Sequence, residues 1–420
     1  MRIELTKNVH LMTVPTTKYK TIQILVCFST SLRENIVAKR VLLSSLMELN
    51  SKHFPVQTEL SKRLAKLYGA SFHSYVDRKG NMHRLNFLIT IVNDSYLQDM
   101  HLLEQAVDFL KEIIFYPNLK ENAFDQETFK LEQANLIQDI ESLIEDKEYY
   151  AKLRLQEIYY RSSKAQAETI FGTTQALKAL TAKKLASYHR KVLSTDKVDI
   201  MIIGNVNEVK VQKLFSNLPF TSRNFLNTEL FYNEPLTNVV IKRVEQEPLN
   251  QSKLNLAYHL PIKFTDPSFF ALQVFNGLFG GFSQSKLFVN IREKESMAYF
   301  ISSSFDSFRS LMMVATGIDR INRNRVLELI HKQLFFLKSG MFKKAEFLQT
   351  KAMLKNVYLL SRDSISTLME EEFINFLLPK TKFSKEEYLQ NLMLVTREEV
   401  MEVAKRIKLQ AIFFLEGIKS

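Results

Sequence analysis

Apolar residues along this chain follow two patterns, short continuous runs and longer segments with helical spacing. The short runs have the length and the β-branched or aromatic content of buried strands. They are Thr21–Thr30, Arg84–Val92, Val198–Gly204, Leu254–Pro261, Leu311–Gly317 and Ala411–Glu416. Helical spacing predicts helices over Lys39–Leu49, Thr58–Tyr68, Leu102–Ile114, Glu127–Ile144, Arg325–Leu337 and Lys344–Leu360. Because strands and long helices each come in groups, the pattern favours an α+β fold over a regularly alternating parallel sheet.

The second half of the chain repeats features of the first half in the same order. The segment Phe124–Phe129, which opens a long helix, recurs as Phe342–Phe347. A helix that begins after Thr181 and precedes an apolar strand is matched by a helix that begins after Thr396. In both copies the threonine stands at the expected N-cap. These matches, at nearly one offset, predict two homologous halves.

The polar, proline-containing stretch between the halves is the expected linker. We therefore predict a first domain over 1–219, a linker over 220–236 and a second domain over 237–420. Two similar domains joined in this way predict a clamshell with a binding site between the halves.

Composition narrows the class of protein. Of the 420 residues, 46% are hydrophobic and 24% are charged, the balance of a folded protein with a large core. The net charge of +12 arises from basic residues that are mixed with acids and lack an interleaved aromatic pattern, so we expect a solvated basic surface and no nucleic-acid partner. The single cysteine, Cys27, excludes a disulfide framework and is expected to be a buried apolar residue. The charged segment Met1–Lys7 and the lack of any apolar run near ~20 residues predict a cytoplasmic protein without a transmembrane segment.

The most specific segment is Gly280–Tyr299, in which a glycine pair leads into a helix that carries Leu287-Phe288 and then Arg292. Tyr299 opens the strand that follows. This segment resembles the second-domain signature of the pitrilysin/insulinase metallopeptidase family. The resemblance covers essentially the whole chain and implies two insulinase-like domains, each a mostly antiparallel sheet with helices packed on one face. It also implies that Arg292 and Tyr299 hold a substrate peptide. The alternative is that Arg292 pairs with a local acid such as Glu295 and that Tyr299 merely packs.

Active members of that family carry His-x-x-Glu-His on the first helix, where two histidines bind zinc and the glutamate activates water. The resemblance places Lys39, Leu42 and Leu43 at these three positions. It places Asp139 at the distal zinc ligand and Glu132 at an acid seven residues earlier. We therefore expect a catalytically degenerate member that binds no metal and needs no cofactor. A sharper hypothesis is that the Lys39 ammonium replaces the zinc charge by pairing with Asp139 or Glu132.

The resemblance implies a non-catalytic subunit that binds a peptide or protein substrate and forms a heterodimer with a zinc-bearing homologue. Among degenerate members of this kind, it further implies a role in the modification of translation elongation factor P. Two alternatives stay open. One is a structural assembly subunit of a larger complex, whose function would be indifferent to Arg292 and Tyr299. The other is a zinc metallopeptidase that acts alone.

Overall fold

The computed structural model describes residues 1–97, 101–225 and 228–418. Residues 98–100 of the predicted first domain, residues 226 and 227 of the predicted linker, and residues 419 and 420 of the predicted second domain lie outside the described residues.

The strands of the described residues are β1 (Arg2–Thr6), β2 (Val9–Pro15), β3 (Thr21–Ser31), β4 (Ser71–Lys79), β5 (Met82–Val92), β6 (Leu119–Lys120), β7 (Ala123–Phe124), β8 (Lys197–Gly204), β9 (Ile241–Pro248), β10 (Ser252–His259), β11 (Phe300–Asp306), β12 (Leu311–Ile318) and β13 (Lys408–Ile418). The α-helices are α1 (Glu34–Leu49), α2 (Gln57–Lys66), α3 (Leu102–Phe115), α4 (Gln126–Glu145), α5 (Lys147–Tyr159), α6 (Lys164–Ala167), α7 (Thr174–Lys178), α8 (Ala182–Thr195), α9 (Glu208–Ser216), α10 (Phe269–Asn276), α11 (Arg323–Lys338), α12 (Lys344–Ser361), α13 (Ile365–Leu377), α14 (Lys385–Leu394) and α15 (Arg397–Arg406). Two π-helical segments, Gly277–Gly281 and Phe288–Lys294, lie between α10 and β11.

The first sheet has six strands in the order β1-β2-β8-β3-β5-β4. Its neighbours pair antiparallel except for β2 and β8, which are parallel. Alternate residues of β3, beginning with Ile22 and ending with Phe28, enter a core that includes α1, α3 and α8. This two-residue alternation is the property that lets one face of a strand enter a core.

The second sheet has five strands in the order β11-β12-β10-β13-β9. Only β9 and β13 are parallel among its described pairs. Residues such as Leu254 and Phe414 face a core shared with α10, α11 and α15. The opposite face packs against α5 through Leu155 and Tyr159, a layer that the sequence did not predict.

The two sheets share one topology. Read from its other edge, the second sheet runs β9-β13-β10-β12-β11, which matches β2-β8-β3-β5-β4 of the first sheet, including the parallel pair at the same place. Strand β1 is the addition in the first sheet. The predicted α+β fold with two similar, mostly antiparallel sheets is therefore confirmed.

Backbone contacts group the described residues into two compact units. The first comprises Met1–Ser142, Thr169–Glu229 and Ile365–Phe373, and the second comprises the remaining segments Leu143–Glu168, Leu230–Ser364 and Ile374–Ser420. Thus α5 belongs to the second unit and most of α13 to the first. The domain limits 1–219, 220–236 and 237–420 stay a prediction.

Parts of the predicted linker pack firmly within the units. Arg223 is buried in the first unit, where it donates to the main-chain carbonyl of Asp196. Glu234 is buried in the second unit and accepts hydrogen bonds from Ser162 and Tyr232. Among the described residues, no helix is both long and apolar enough to cross a membrane.

Candidate functional site

Helix α1 positions the three residues at the family's zinc-binding motif. Leu42 and Leu43 have no exposed surface and lie in the hydrophobic core of the first unit. Lys39 is half-buried, and its Nζ atom lies 5.5 Å from the centre of the Tyr188 ring. Helix α1 therefore buries the general-base position and the second histidine position of the motif as leucines, whose hydrophobic burial stabilises the fold.

Arg40, the residue after Lys39, has a role that sequence reasoning missed. Its side chain is completely buried, and its guanidinium donates to the Asp196 carboxylate and to the main-chain carbonyl of Phe28. Burial by itself would lower the pKa of Arg40, but the neighbouring Asp196 carboxylate outweighs it and the pKa is raised. In the sequence, Arg40 is only a charged residue among apolar ones on a predicted helix. An arginine at an exposed position of the helix would give the same pattern, so the pattern does not predict that Arg40 is buried.

Helix α4 carries the two acids of the degenerate site. Asp139 is exposed, and Glu132 is half-buried and accepts a hydrogen bond from Asn135. Burial raises the pKa of Glu132 against the opposing hydrogen bond from Asn135, and the nearby carboxylates of Asp139 and Glu48 raise it further. Glu132 and Asp139 therefore lie near each other, and Lys39 neutralises neither carboxylate.

The hypothesis that Lys39 pairs with Asp139 or Glu132 is wrong. Within the described ranges, Lys39 makes no ion pair within 4.0 Å with either carboxylate. Its ammonium lies over Tyr188 instead, where the negative face of the ring attracts a cation. The ammonium would also gain little from a pair with the exposed Asp139 carboxylate, because ion pairs at the protein surface contribute little stability.

The residues at this place do not fit a zinc ion. Zinc takes thiolate, imidazole or carboxylate ligands, and the positions of the motif supply an ammonium and two aliphatic side chains. Over residues 1–97, 101–225 and 228–418, no group of three or more His, Cys, Asp or Glu side chains could hold a metal.

Two other side chains that can act in catalysis, the thiol of Cys27 and the imidazole of His189, are buried in the first unit. Burial raises the pKa of the Cys27 thiol to about 12, so the thiolate is scarce at neutral pH. His189 on α8 is buried with Nε2 2.9 Å from the Ile114 carbonyl oxygen, and burial lowers its pKa to about 4. Both side chains are structural.

The Arg292 segment lies in the second unit. The π-helical turn Gly277–Gly281 packs so closely that a Cβ on Gly280 would lie 2.8 Å from the Ser303 nitrogen on β11. The second π-helical turn, Phe288–Lys294, buries Ile291 and presents Arg292 to solvent. Short π-helical segments are uncommon and occur often at functional sites.

Arg292 is exposed and has no ion-pair partner within 4.0 Å among the described residues. Its guanidinium lies 4.6 Å from the centre of the Phe288 ring. Glu295, the local acid that could have paired with it, lies 3.8 Å from Arg325 instead. The five donors of the Arg292 fork are therefore available to a ligand.

Tyr299 is 57% exposed, and its hydroxyl donates to Asp319 Oδ1 at 3.1 Å. This hydrogen bond to a carboxylate raises the pKa of Tyr299, so the phenol stays protonated throughout the neutral range.

Between Arg292 and Tyr299, Ser296 has a left-handed backbone with φ of 51°. A left-handed conformation costs a residue with a Cβ about 1–2 kcal/mol.

Comparison with known proteins agrees with this picture. Residues 179–354 match the family model described as the peptidase M16 inactive domain. The chain is 32% identical over 406 residues to the Bacillus subtilis protein named probable inactive metalloprotease YmfF, covering 96% of this chain and 95% of that protein. A crystal structure of a conserved protein from Enterococcus faecalis V583 is 51% identical with a TM-score of 0.97, covering 100% of this chain and 99% of that one. The peptidase M16 inactive domain from Pseudomonas fluorescens is 14% identical with a TM-score of 0.80, covering 100% and 98%, and shows the fold alone. This chain therefore belongs to the M16, or pitrilysin/insulinase, family of metallopeptidases, as an inactive homologue of its zinc-dependent members.

Proposed function

We propose that this protein binds a peptide or protein substrate at Arg292 and Tyr299 without cleaving it, and that it pairs with a zinc-bearing homologue. The single observation that carries the proposal is the exposed Arg292 guanidinium, which makes no ion pair among the described residues. An arginine guanidinium can donate hydrogen bonds to main-chain carbonyls, or two parallel hydrogen bonds to one carboxylate.

The local backbone supports this role. A π-helical turn at Phe288–Lys294 and a left-handed Ser296 lie next to each other in one short segment. Unusual backbone geometry costs stability and persists where the surrounding structure maintains it, often at ligand sites. Here it places an arginine and a tyrosine on the surface, where neither contributes to the core.

The strand after Tyr299 offers a further binding element. Strand β11 lies at the edge of its sheet and pairs with β12 along a continuous register. Its sequence, Phe-Ile-Ser-Ser-Ser-Phe-Asp, has no proline or lysine, the residues that commonly protect a sheet edge. An extended peptide could add to such an edge through main-chain hydrogen bonds, with Arg292 and Tyr299 at its side.

The partner is proposed because the chain lacks the two histidines and the glutamate of the His-x-x-Glu-His motif. With Leu42 and Leu43 in the core, the metal and the general base would come from a homologue that carries His-x-x-Glu-His. We place the pair in the cytoplasm and in the modification of translation elongation factor P, the role that the sequence resemblance implies.

Purification of the tagged full chain from its native cells tests the pairing. We expect a homologue carrying His-x-x-Glu-His to co-purify in near-equal amount, as quantified by mass spectrometry. Recovery of the protein alone, as a monomer or a homodimer, would overturn the pairing and leave a free-standing peptide-binding protein.

Substitution of the site tests peptide binding separately. With fluorescent unfolded casein as the probe, we expect Arg292→Ala with Tyr299→Phe to weaken binding about tenfold or more, since one or two charge-assisted hydrogen bonds are lost. Arg243→Ala is the matched control, because Arg243 is an exposed arginine on β9, at the other edge of the same sheet, and pairs with Glu245. Equal binding by the wild type and the double variant would instead favour the structural assembly subunit.

A further inference from the structure

Helices α8 and α15 occupy equivalent places in the two sheets. Each immediately precedes a strand, β8 or β13, that lies between a parallel and an antiparallel neighbour. Each begins with a threonine whose side chain accepts a hydrogen bond from the third helical residue, Thr181 in α8 and Thr396 in α15. The pair therefore allows a comparison of surface charge at matched positions.

The exposed charges of the two helices are opposite at their N-terminal ends. Helix α15 has Glu398 and Glu399 in its first turn, and Glu399 completes a capping box with Thr396. Helix α8 has Lys183 and Lys184 at the corresponding positions and no acid in its first turn. All four side chains are exposed.

Lysines at this end of a helix are unfavourable for the helix itself. The N-terminus carries a partial positive charge from its unpaired N–H groups, so an acid there stabilises and a cation destabilises by about 0.3–1 kcal/mol. The Glu398-Glu399 pair follows this rule, whereas Lys183 and Lys184 oppose it. Folding of α8 therefore gives no reason for the two lysines.

The cations continue along the same surface. Arg190 and Lys191 are exposed further along α8. Lys184, Tyr188 and Lys191 follow helical spacing, so they share one face. Lys39 approaches this face from α1, since its ammonium lies over Tyr188.

None of these cations is neutralised within the chain as described. Lys183, Lys184, Arg190 and Lys191 make no ion pair within 4.0 Å with any described residue. By contrast, Glu402 on the equivalent face of α15 pairs with Lys405 at 2.6 Å. We call the surface formed by Lys39, Lys183, Lys184, Arg190 and Lys191 the cationic face.

We propose that the cationic face is a docking surface for an acidic protein. Charge complementarity of this kind speeds the encounter of two proteins and selects the partner, even where each exposed pair adds little affinity. The proposal is separate from peptide binding at Arg292 and would stand if that site proved unoccupied.

The cationic face does not have the features of a single-stranded nucleic-acid site, in which aromatic side chains stack on the bases beside the phosphate contacts. Four of its five cations are lysines, and a lysine attracts a carboxylate through its charge without the planar geometry of an arginine fork. Its aromatic ring, Tyr188, is half-buried beneath Lys39, so it offers no open stacking platform for a base.

The test compares two charge-reversed full-length proteins. Lys183→Glu with Lys184→Glu gives α8 the first-turn charges of α15. The control variant, Lys62→Glu with Lys355→Glu, makes the same change in net charge at exposed lysines on α2 and α12. Binding is measured at about 0.15 M salt, where distant exposed charges are largely screened. The probes are poly-L-glutamate and a single-stranded oligodeoxynucleotide of equal charge.

We expect the α8 variant to lose about threefold or more of its poly-L-glutamate affinity relative to the control variant, because each reversed charge turns a weak attraction into a repulsion. We also expect its thermal unfolding midpoint to be unchanged or higher, which shows that the loss is not a failure to fold. Equal weakening in both variants would overturn the proposal in favour of diffuse net charge. Preferential loss of oligodeoxynucleotide binding would overturn it in favour of a nucleic-acid surface, and wild-type protein that binds neither probe would overturn it outright.

Discussion

The α1 and α4 region of the first unit and the Arg292 segment of the second unit show two fates of a functional site in one fold. In the first region, the general-base position, Leu42, and the second histidine position, Leu43, have become core, since both leucines are fully buried. In the second, Arg292 and Tyr299 stay exposed next to an unusual backbone. The same α+β topology therefore has one region in which residues at the old site positions are buried and stabilise the core, and another in which the corresponding residues stay at the surface.

The two regions differ in whether packing explains the residues found there. Apolar replacements at the zinc positions are explained by packing alone, because burial of a leucine side chain is favourable. No such explanation exists for an exposed arginine without an ion pair among the described residues, or for a left-handed serine. The proposed ligand site therefore lies in the second region, where core packing does not account for these residues.

The largest effect should come from reversing the change on α1. We expect Leu42→Glu to destabilise the protein by at least about 4 kcal/mol, because it buries an unpaired carboxylate and loses apolar contacts. Urea unfolding measures the change. Asp139→Glu is the matched control at an exposed position and should stay within about 0.5 kcal/mol of the wild type. Near-wild-type stability of Leu42→Glu would show that the old general-base position still opens to solvent.

A smaller effect should come from the turn that supports the Arg292 segment. We expect Gly280→Ala to cost about 1–3 kcal/mol, because the added methyl group would overlap the backbone of Ser303. Thermal unfolding measures the loss, with exposed Ser283→Ala as the control. We also expect weaker casein binding, since the turn and β11 would have to separate. A stable variant with unchanged binding would mean that the close packing does not position Arg292.

The smallest effect concerns the protonation of Tyr299. The hydrogen bond to Asp319 raises the pKa of this phenol above its ordinary value of 10.0, because the carboxylate favours the protonated form. Asp319→Asn should therefore lower the pKa of Tyr299 toward 10.0. An NMR titration with ring-labelled tyrosine measures the pKa, and Tyr299→Phe assigns the signal. An unchanged pKa would show that the hydroxyl does not donate to Asp319 in solution.

Sequence patterns located most of the principal elements because hydrophobic periodicity is a local property. The predicted helix Leu102–Ile114 is α3, Leu102–Phe115, and the predicted strand Thr21–Thr30 is β3, Thr21–Ser31. The edge strands β1 and β9 were not predicted, because their half-exposed residues lack a continuous apolar run. Helix α5 was also not predicted, since its apolar residues are interrupted by charges.

The sequence alone determined the α+β class, the internal repeat, the family resemblance and the loss of zinc ligands, because each depends on residue identity and spacing. Which charged side chains form ion pairs or contact an aromatic ring depends on how the elements pack in the tertiary structure. The tertiary structure paired Arg40 with Asp196, residues far apart in the chain, and placed Lys39 over Tyr188 rather than beside Asp139. It also left Arg292 and the α8 lysines without ion pairs among the described residues. Ion pairing depends on distances of a few ångströms between side chains from different elements, and such distances are fixed only when the elements pack.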